Sequence, residues 1–511
     1  MQLKARVMEF EARKAIVILN KDDAAELDVK PLDRVELVLG KRKDTAIVNI
    51  AEKLIKEGEI GLYESVVHEL KAKEGSRLKI ARAPHPASIE FIRKKLEGRM
   101  LDKAELDAII GDVVGDRLSD IEISSFLTAL HEKGMVMDEV AALSRSMAEN
   151  GKRMKWKKVV FDKHSIGGVP GDKTSILLVP TIAAAGFTIP KTSSRAITSP
   201  AGTADRFECI APVDLSWEEI KKVVNKTKGC LAWGGAVDLA PADDIFIKVE
   251  YPLSIDPMLL PSVMSKKVAV GAKHLVIDIP TGRGTKIKSI SSASDLAGQF
   301  IELGSRLGID VRCLSTFGEQ PLGHTIGPAL EAREALHTAL TGKGPTDYID
   351  KVTALAGTLM GMGGMKNAEA KARHIITSGK AGRKLKQIIA AQGGDPDIKP
   401  KDIEVGGECC KVSSNFSGRV WWISNKALVH IAKSAGAPKD KGAGIFLNKK
   451  IGDRVRKGET IFEIFSDKPY KLKAAVKAAE GHEIMGIGRH YNMVLKRMPE
   501  EKHEKTFILE R

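Results

Sequence analysis

Two short stretches of this chain carry the residue types that grip phosphate oxygens. One is Ser193-Ser194-Arg195-Ala196-Ile197-Thr198-Ser199-Pro200-Ala201-Gly202-Thr203-Ala204-Asp205, where hydroxyls, a guanidinium and a glycine crowd together with no apolar period that would make them core. Such side chains, together with backbone N–H groups, are donors suited to an anion. The other, roughly thirty residues earlier, is Lys163-His164-Ser165-Ile166-Gly167-Gly168-Val169-Pro170-Gly171-Asp172-Lys173-Thr174-Ser175. Two loops of this kind so close in sequence predict one anion site built from both.

Gly167 to Thr174 nearly spells GxxxxGK[ST], but Asp172 stands where the second glycine belongs. A nucleoside-triphosphate loop needs that glycine for its backbone nest, so a triphosphatase is disfavoured. The glycines alone read equally well as a tight turn. Lys163 and Ser165, directly after the strand pattern Val159-Val160-Phe161, favour anion binding. Three carboxylates have less to say. Asp256 precedes a proline and a helix-like segment ending Met264-Ser265-Lys266-Lys267, Asp205 follows the hydroxyl loop, and Asp278 lies in a strand pattern. An isolated carboxylate before proline is most often a helix cap, the other two have similar structural readings, and composition does not choose among the three.

The elements that must position these loops fall into four regions. Residues 1–84 read as a β-rich domain, with Ala15–Leu19 and Arg34–Leu39 rich in β-branched residues. The stretch Ala83-Pro84-His85-Pro86 reads as a linker. Residues 85–157 switch to a helical period, with a capping box at Ser119 and Glu122, and a second helical segment spans about 240–271. Residues 158–395 alternate strands and helices, which predicts a parallel sheet with ligands at the carboxyl ends of its strands. Residues 396–511 have the turn-and-strand rhythm of a small α+β, barrel-like domain. It is similar to lipoyl-type domains but lacks their attachment hairpin, so it reads as structural.

Composition narrows the class. The 511 residues suit three or four domains, with 43% hydrophobic and 29% charged residues. No apolar run approaches the ~20 residues of a membrane span, and Met1–Arg6 lacks the apolar core of a secretion signal. The expectation is a cytoplasmic enzyme without a membrane partner. Five scattered cysteines offer no zinc spacing and no disulfide framework, and Cys409-Cys410 read as idle thiols. No metal is expected. The net charge of +15 invites a nucleic-acid reading. Lysines spread along the whole chain and an aromatic content of 5% argue against it, and a small polyanionic ligand explains the charge as well.

Lys163–Ser175, Ser193–Glu208, Ser262-Val263-Met264-Ser265-Lys266-Lys267 and Gln320-Pro321-Leu322-Gly323-His324 together resemble the thymidine/pyrimidine-nucleoside phosphorylases, from about Phe91 onward. The resemblance implies an α/β multidomain fold of the nucleoside phosphorylase type II kind. A helical domain accompanies a large α/β domain that closes over substrate, with a smaller C-terminal lobe, so this chain has small β-rich N-terminal and C-terminal domains, of which the N-terminal one is extra. It also implies phosphate ligands at Lys163, Ser165, Ser175, Ser193 and Thr203, and a base seated against Ser262 and Lys266. Two positions depart from pyrimidine-specific members. Ser254 replaces the base-gripping arginine after Tyr-x-Leu, and Lys286 replaces a phenylalanine near the ribose 5′-hydroxyl. A cation in place of an apolar wall suits a 5′-phosphate.

Both departures, with the extra N-terminal domain, resemble the archaeal-type AMP phosphorylase branch of that family. In that branch Asp256 matches the proton donor. Gly168, Ser194, Arg195, Ala196, Ile197, Thr198, Ser199, Thr203, Ser262 and Lys286 match nucleotide-binding positions. The implied reaction converts AMP and phosphate to adenine and ribose 1,5-bisphosphate, with CMP and UMP as further substrates and an isomerase and a RubisCO downstream. Inorganic phosphate is the co-substrate, no cofactor is implied, and the family assembles as homodimers or larger homo-oligomers. The rivals are a pyrimidine-nucleoside phosphorylase, an anthranilate-type phosphoribosyltransferase lacking its acidic magnesium pair near Gly171-Asp172, and a non-catalytic nucleotide sensor.

Overall fold

A computed structural model describes residues 1–12, 14–84, 86–196, 199–253 and 255–488. The chain forms two compact units. The first comprises Met1–His164, Gly234–Val276 and Leu296–Cys313; the second comprises Ser165–Trp233, Ile277–Asp295 and the described chain from Leu314 onward.

The first unit opens with a closed six-stranded barrel. Its strand order is Gln2–Val7, Glu59–Leu62, Ile16–Asn20, Arg42–Ala51, Arg34–Leu39, Arg77–Arg82, and the last pairs back onto the first. Strands such as Gln2–Val7 alternate exposed and buried residues, as the two-residue period of a strand requires. Val17, Leu19, Val35, Leu37, Val48, Ile60, Leu62 and Ile80 fill the interior. Helices Ser88–Leu96, Lys103–Val114, Asp120–Lys133 and Met137–Glu149 follow. The box at Ser119 and Glu122 caps the third of them. Ala242, Phe246 and Met258 from the later segment complete the same apolar cluster as Ile109, Phe126 and Leu143, so the helical bundle is assembled from two separate stretches of chain.

Strands Asp310–Phe317, His274–Thr281 and Phe161–Ser165 form a three-stranded sheet in that order, and the boundary between units crosses all three. The sequence reading ended the last of these at Phe161. The strand in fact runs four residues further and carries Lys163 and Ser165 itself. Strands Ile189–Ser193 and Gly229–Trp233 make a separate parallel pair rather than joining a single sheet. Helix Thr174–Ala184 packs against both strands of this pair. Ten of its 11 residues are buried, as suits a helix that is apolar all round.

The expected C-terminal barrel is replaced, among the described residues, by two open sheets. Thr325–Ile326, Gly444–Leu447, Thr460–Ser466 and Glu408–Ser413 form one, and Arg454–Val455, Gly418–Ile423 and Met485–Gly488 the other. Helices Asn425–Ser434 and Pro469–Glu480 supply Leu428, Ile431 and Ala475 to the core these sheets bury, so their apolar faces need no closure upon themselves. No helix among the described residues is long and apolar enough to cross a membrane.

The helical bundle hides one ion pair. Lys95 and Glu139 are each 3% exposed and meet at 2.8 Å, and Glu139 also accepts from the backbone N–H of Leu101. Removing one partner of such a pair strands the other charge. Lys95→Ala is expected to lower stability by about 3–5 kcal/mol, measured by urea unfolding, while Lys95→Met with Glu139→Gln should recover much of the loss.

Candidate active site

Asp278 is the fixed point of the second unit's site. It is fully buried near the end of the central strand. One carboxylate oxygen accepts from Ser165 Oγ at 2.9 Å and pairs with Lys351 Nζ at 2.8 Å. The other accepts from Thr316 Oγ1 at 2.6 Å, and the backbone carbonyl accepts from Ile166 N–H at 3.0 Å. Burial pulls the Lys351 ammonium down, but the carboxylates of Asp278 and Asp172 override it and hold it above its ordinary value. Three strands and one helix are thereby tied together at the start of the anion loop. Ser165 donates its proton inward to Asp278 and accepts from Gly167 N–H, so it organises the loop as well as lining it.

Gly168 carries the loop across to Lys286. Its φ of +92° is left-handed, and a Cβ there would stand 2.9 Å from the backbone nitrogen of Lys286. Only glycine permits that approach. Lys286 itself is exposed. Lys173 does not act as a triphosphate lysine. Its side chain is 0% exposed, and its ammonium donates to the carbonyls of Gly171 at 3.0 Å and Leu322 at 2.6 Å and pairs with Glu334 at 2.7 Å. The segment Gln320–His324 is held from its other side by Lys450, which donates to the carbonyls of Pro321 and Gly323 and pairs with Asp347.

The hydroxyl loop is closed by Asp205, which accepts from Ala196 N–H at 2.7 Å and Gly202 N–H at 2.8 Å. A Cβ on Gly202 would collide with backbone atoms of Ser194, Arg195 and Ala196. Ser193 ends a strand, Thr203 opens a short helix, and Ser175 is buried in the first turn of Thr174–Ala184. Ser194 is exposed, and Ser199 donates to the carbonyl of Ala201. Ile197, Thr198 and Ser254 lie outside the described residues. Arg195, expected to face substrate, spends its guanidinium on a bidentate pair with Glu208 at 2.8 and 2.9 Å, on Asp214 at 3.2 Å, and over the Trp233 ring. In this arrangement Arg195 offers the loop its backbone.

The first unit holds the remaining candidates. Lys163 is buried, and Asp162 beside it pairs with Lys267 Nζ at 2.6 Å, tying the strand to helix Leu259–Val270. Ser262 and Lys266 lie one turn apart on that helix, both half-buried. Asp256 sits in the turn before it and is exposed, so the partly buried setting expected for a proton donor is absent from this arrangement. The sequence reading missed Lys351, Glu334 and Asp347. Their only signal was a charge inside otherwise apolar helical faces. Among the described residues no three His, Cys, Asp or Glu side chains are grouped to hold a metal ion.

Comparison with known proteins gives this geometry a family. Residues 89–151 match the glycosyl transferase family helical bundle domain, 157–382 its a/b domain, and 420–484 the pyrimidine nucleoside phosphorylase C-terminal domain. Over nearly their whole lengths, curated AMP phosphorylases are close relatives. That of Methanocaldococcus jannaschii is 49% identical over 93% of this chain and 96% of its own. That of Thermococcus kodakarensis is 48% identical over 98% and 99%, and that of Thermofilum pendens 45% identical over 100% of both. The chain belongs to the AMP phosphorylase family. The Thermofilum relative aligns over the N-terminal barrel too, although the family models begin only at residue 89. The anthranilate phosphoribosyltransferase of Thermus thermophilus shares the fold, with a TM-score of 0.50 at 20% identity over 59% of this chain and 99% of that one.

Two tests follow from the loop geometry of this family member. Gly168→Ala forces a left-handed backbone on a Cβ that meets Lys286, a strain of about 1–3 kcal/mol. Phosphate-dependent turnover should fall roughly tenfold or more with helical circular dichroism unchanged. Glu208 is held down at about 2 by the hydrogen bonds of Arg195, against an opposing effect of burial, with Lys441 adding to the hold. A depressed carboxyl stabilises fully above its unfolded pKa and stops doing so as pH falls through its folded one. The stability difference between the wild type and Glu208→Gln should stay constant above pH ~4.5 and shrink toward pH 2 in urea titrations.

Proposed function

We propose that the chain catalyses phosphorolysis of AMP, releasing adenine and forming ribose 1,5-bisphosphate, with CMP and UMP as further substrates. Full-length similarity to AMP phosphorylases supports this reading. The observation that carries it is the contact of Gly168 with the Lys286 backbone, which sets a lysine beside the anion loop. Such a reaction handles two dianions, the attacking phosphate and the 5′-phosphate of the nucleotide, and a pocket for both needs separate sets of donors.

In this proposal Lys163, Ser165, Ser175, Ser193 and Thr203 hold inorganic phosphate in line with C1′, so that positioning supplies much of the rate. Gly168 and the 194–199 loop receive the nucleotide, and Lys286 meets its 5′-phosphate. Ser262 and Lys266 face the base. Asp256 donates a proton to the base as the glycosidic bond breaks; the arriving base supplies the shielding that the exposed carboxyl lacks. No cofactor takes part. The proposal includes a homo-oligomer, carried by the resemblance alone, and a cytoplasmic setting.

The test compares nucleotides with nucleosides. A charge-assisted hydrogen bond contributes about 1.5–3 kcal/mol, so Lys286→Met should reduce kcat/KM for AMP roughly 10- to 100-fold and leave that for adenosine nearly unchanged. Equal losses on both would remove Lys286 from the 5′-phosphate. Faster cleavage of uridine than of AMP by the wild type would favour a pyrimidine-nucleoside phosphorylase. Asp256→Asn should depress kcat by about 10²–10⁴ with a far smaller change in AMP affinity; parallel losses would make Asp256 a structural residue.

A further inference from the structure

Helix Pro241–Leu253 begins with a carboxylate in an expensive setting. Asp243 is fully buried, and neither of its oxygens receives an aligned hydrogen bond from the described residues. Its cation is Lys266, whose Nζ lies 2.5 Å from one oxygen. The two ends of the pair differ sharply in exposure, 0% for the Asp243 side chain and 32% for that of Lys266. The ammonium therefore joins an interior anion to an open face. An ammonium has three donors, and contact with one carboxylate oxygen engages at most one of them.

Stability gives no reason for this arrangement. Burying a carboxylate without well-formed hydrogen bonds costs more than its ion pair returns. The first turn of a helix does favour an acid, but Asp244, one residue on, already serves there. Burial pushes the Asp244 carboxyl up, with Lys266 opposing, and Asp243, Lys248 and Asp238 complete the charged surroundings. Ser262 stands four residues before Lys266 on helix Leu259–Val270, which puts both on one face.

We infer that Asp243 is a positioning residue that acts through Lys266, fixing its ammonium on the Ser262 face so that a remaining donor reaches a ring acceptor of the substrate's base. This rests on the reading that Ser262 and Lys266 face the base.

A double-mutant cycle tests it, with Asp243→Asn, Lys266→Met and the pair together. Each single variant should lower kcat/KM for AMP by roughly 10- to 100-fold while the KM for phosphate stays within about twofold. The double variant should be no worse than Lys266→Met alone. Asp243→Asn should melt at or above the wild-type temperature, because it removes a poorly satisfied buried charge. Additive losses, unchanged activity, or a variant that melts earlier, or fails to fold, would each overturn the inference. The wild type is assayed alongside. If it releases no adenine from AMP, the proposed function fails, and the cycle runs on whichever nucleoside it does cleave, with the same outcomes deciding the role of Asp243.

Discussion

The anion loop depends on one buried carboxylate. Asp278 lies within the central strand beside the ends of its two neighbours, and both of its oxygens are committed, to Ser165 and Lys351 on one side and Thr316 on the other. A buried carboxylate tolerates loss of a partner poorly, so each of these contacts restrains the others. The loop leaves this knot at Ile166 with its backbone already hydrogen-bonded to the same residue. Where Gly168 arrives, and hence how close it passes to Lys286, follows from that anchorage.

Around the loops, strong charges are turned toward one another rather than toward the anion. Arg195 is engaged by Glu208 and Asp214, Lys173 by Glu334, Arg206 by Glu331, and Lys450 by Asp347. These pairs fix backbone segments, and the segments present hydroxyls and N–H groups. Donors held this way need no rearrangement when charge shifts during reaction, which is how preorganised sites stabilise a transition state. Lys163 lies in the first motif of the family likeness, and Lys286 is one of the two departures from it.

Much of this was legible from the chain. The barrel strands, the Ser119–Glu122 box and the alternation after residue 158 were encoded locally, in apolar period and capping chemistry. The end of the strand at Ser165 was not, because Asp162 and Lys163 break its apolar pattern. Asp162 is satisfied by Lys267, more than a hundred residues away. The same limit hid the role of Arg195, whose partners Glu208 and Asp214 are set by how the loop folds back. A residue type announces that it can bind phosphate; only tertiary pairing decides whether its charge is still available. The C-terminal sheets were misread for a related reason, since two helices, rather than closure, cover their apolar faces.

The central claim is that one substrate brings a second phosphate into the reaction and keeps it. Phosphorus-31 NMR of the protein with AMP and inorganic phosphate tests this directly. The account predicts two phosphomonoester resonances of one sugar product, growing in equal amounts as the AMP and inorganic phosphate signals fall. A single new resonance from ribose 5-phosphate, with inorganic phosphate unchanged, or AMP left intact while adenosine is consumed, would contradict it.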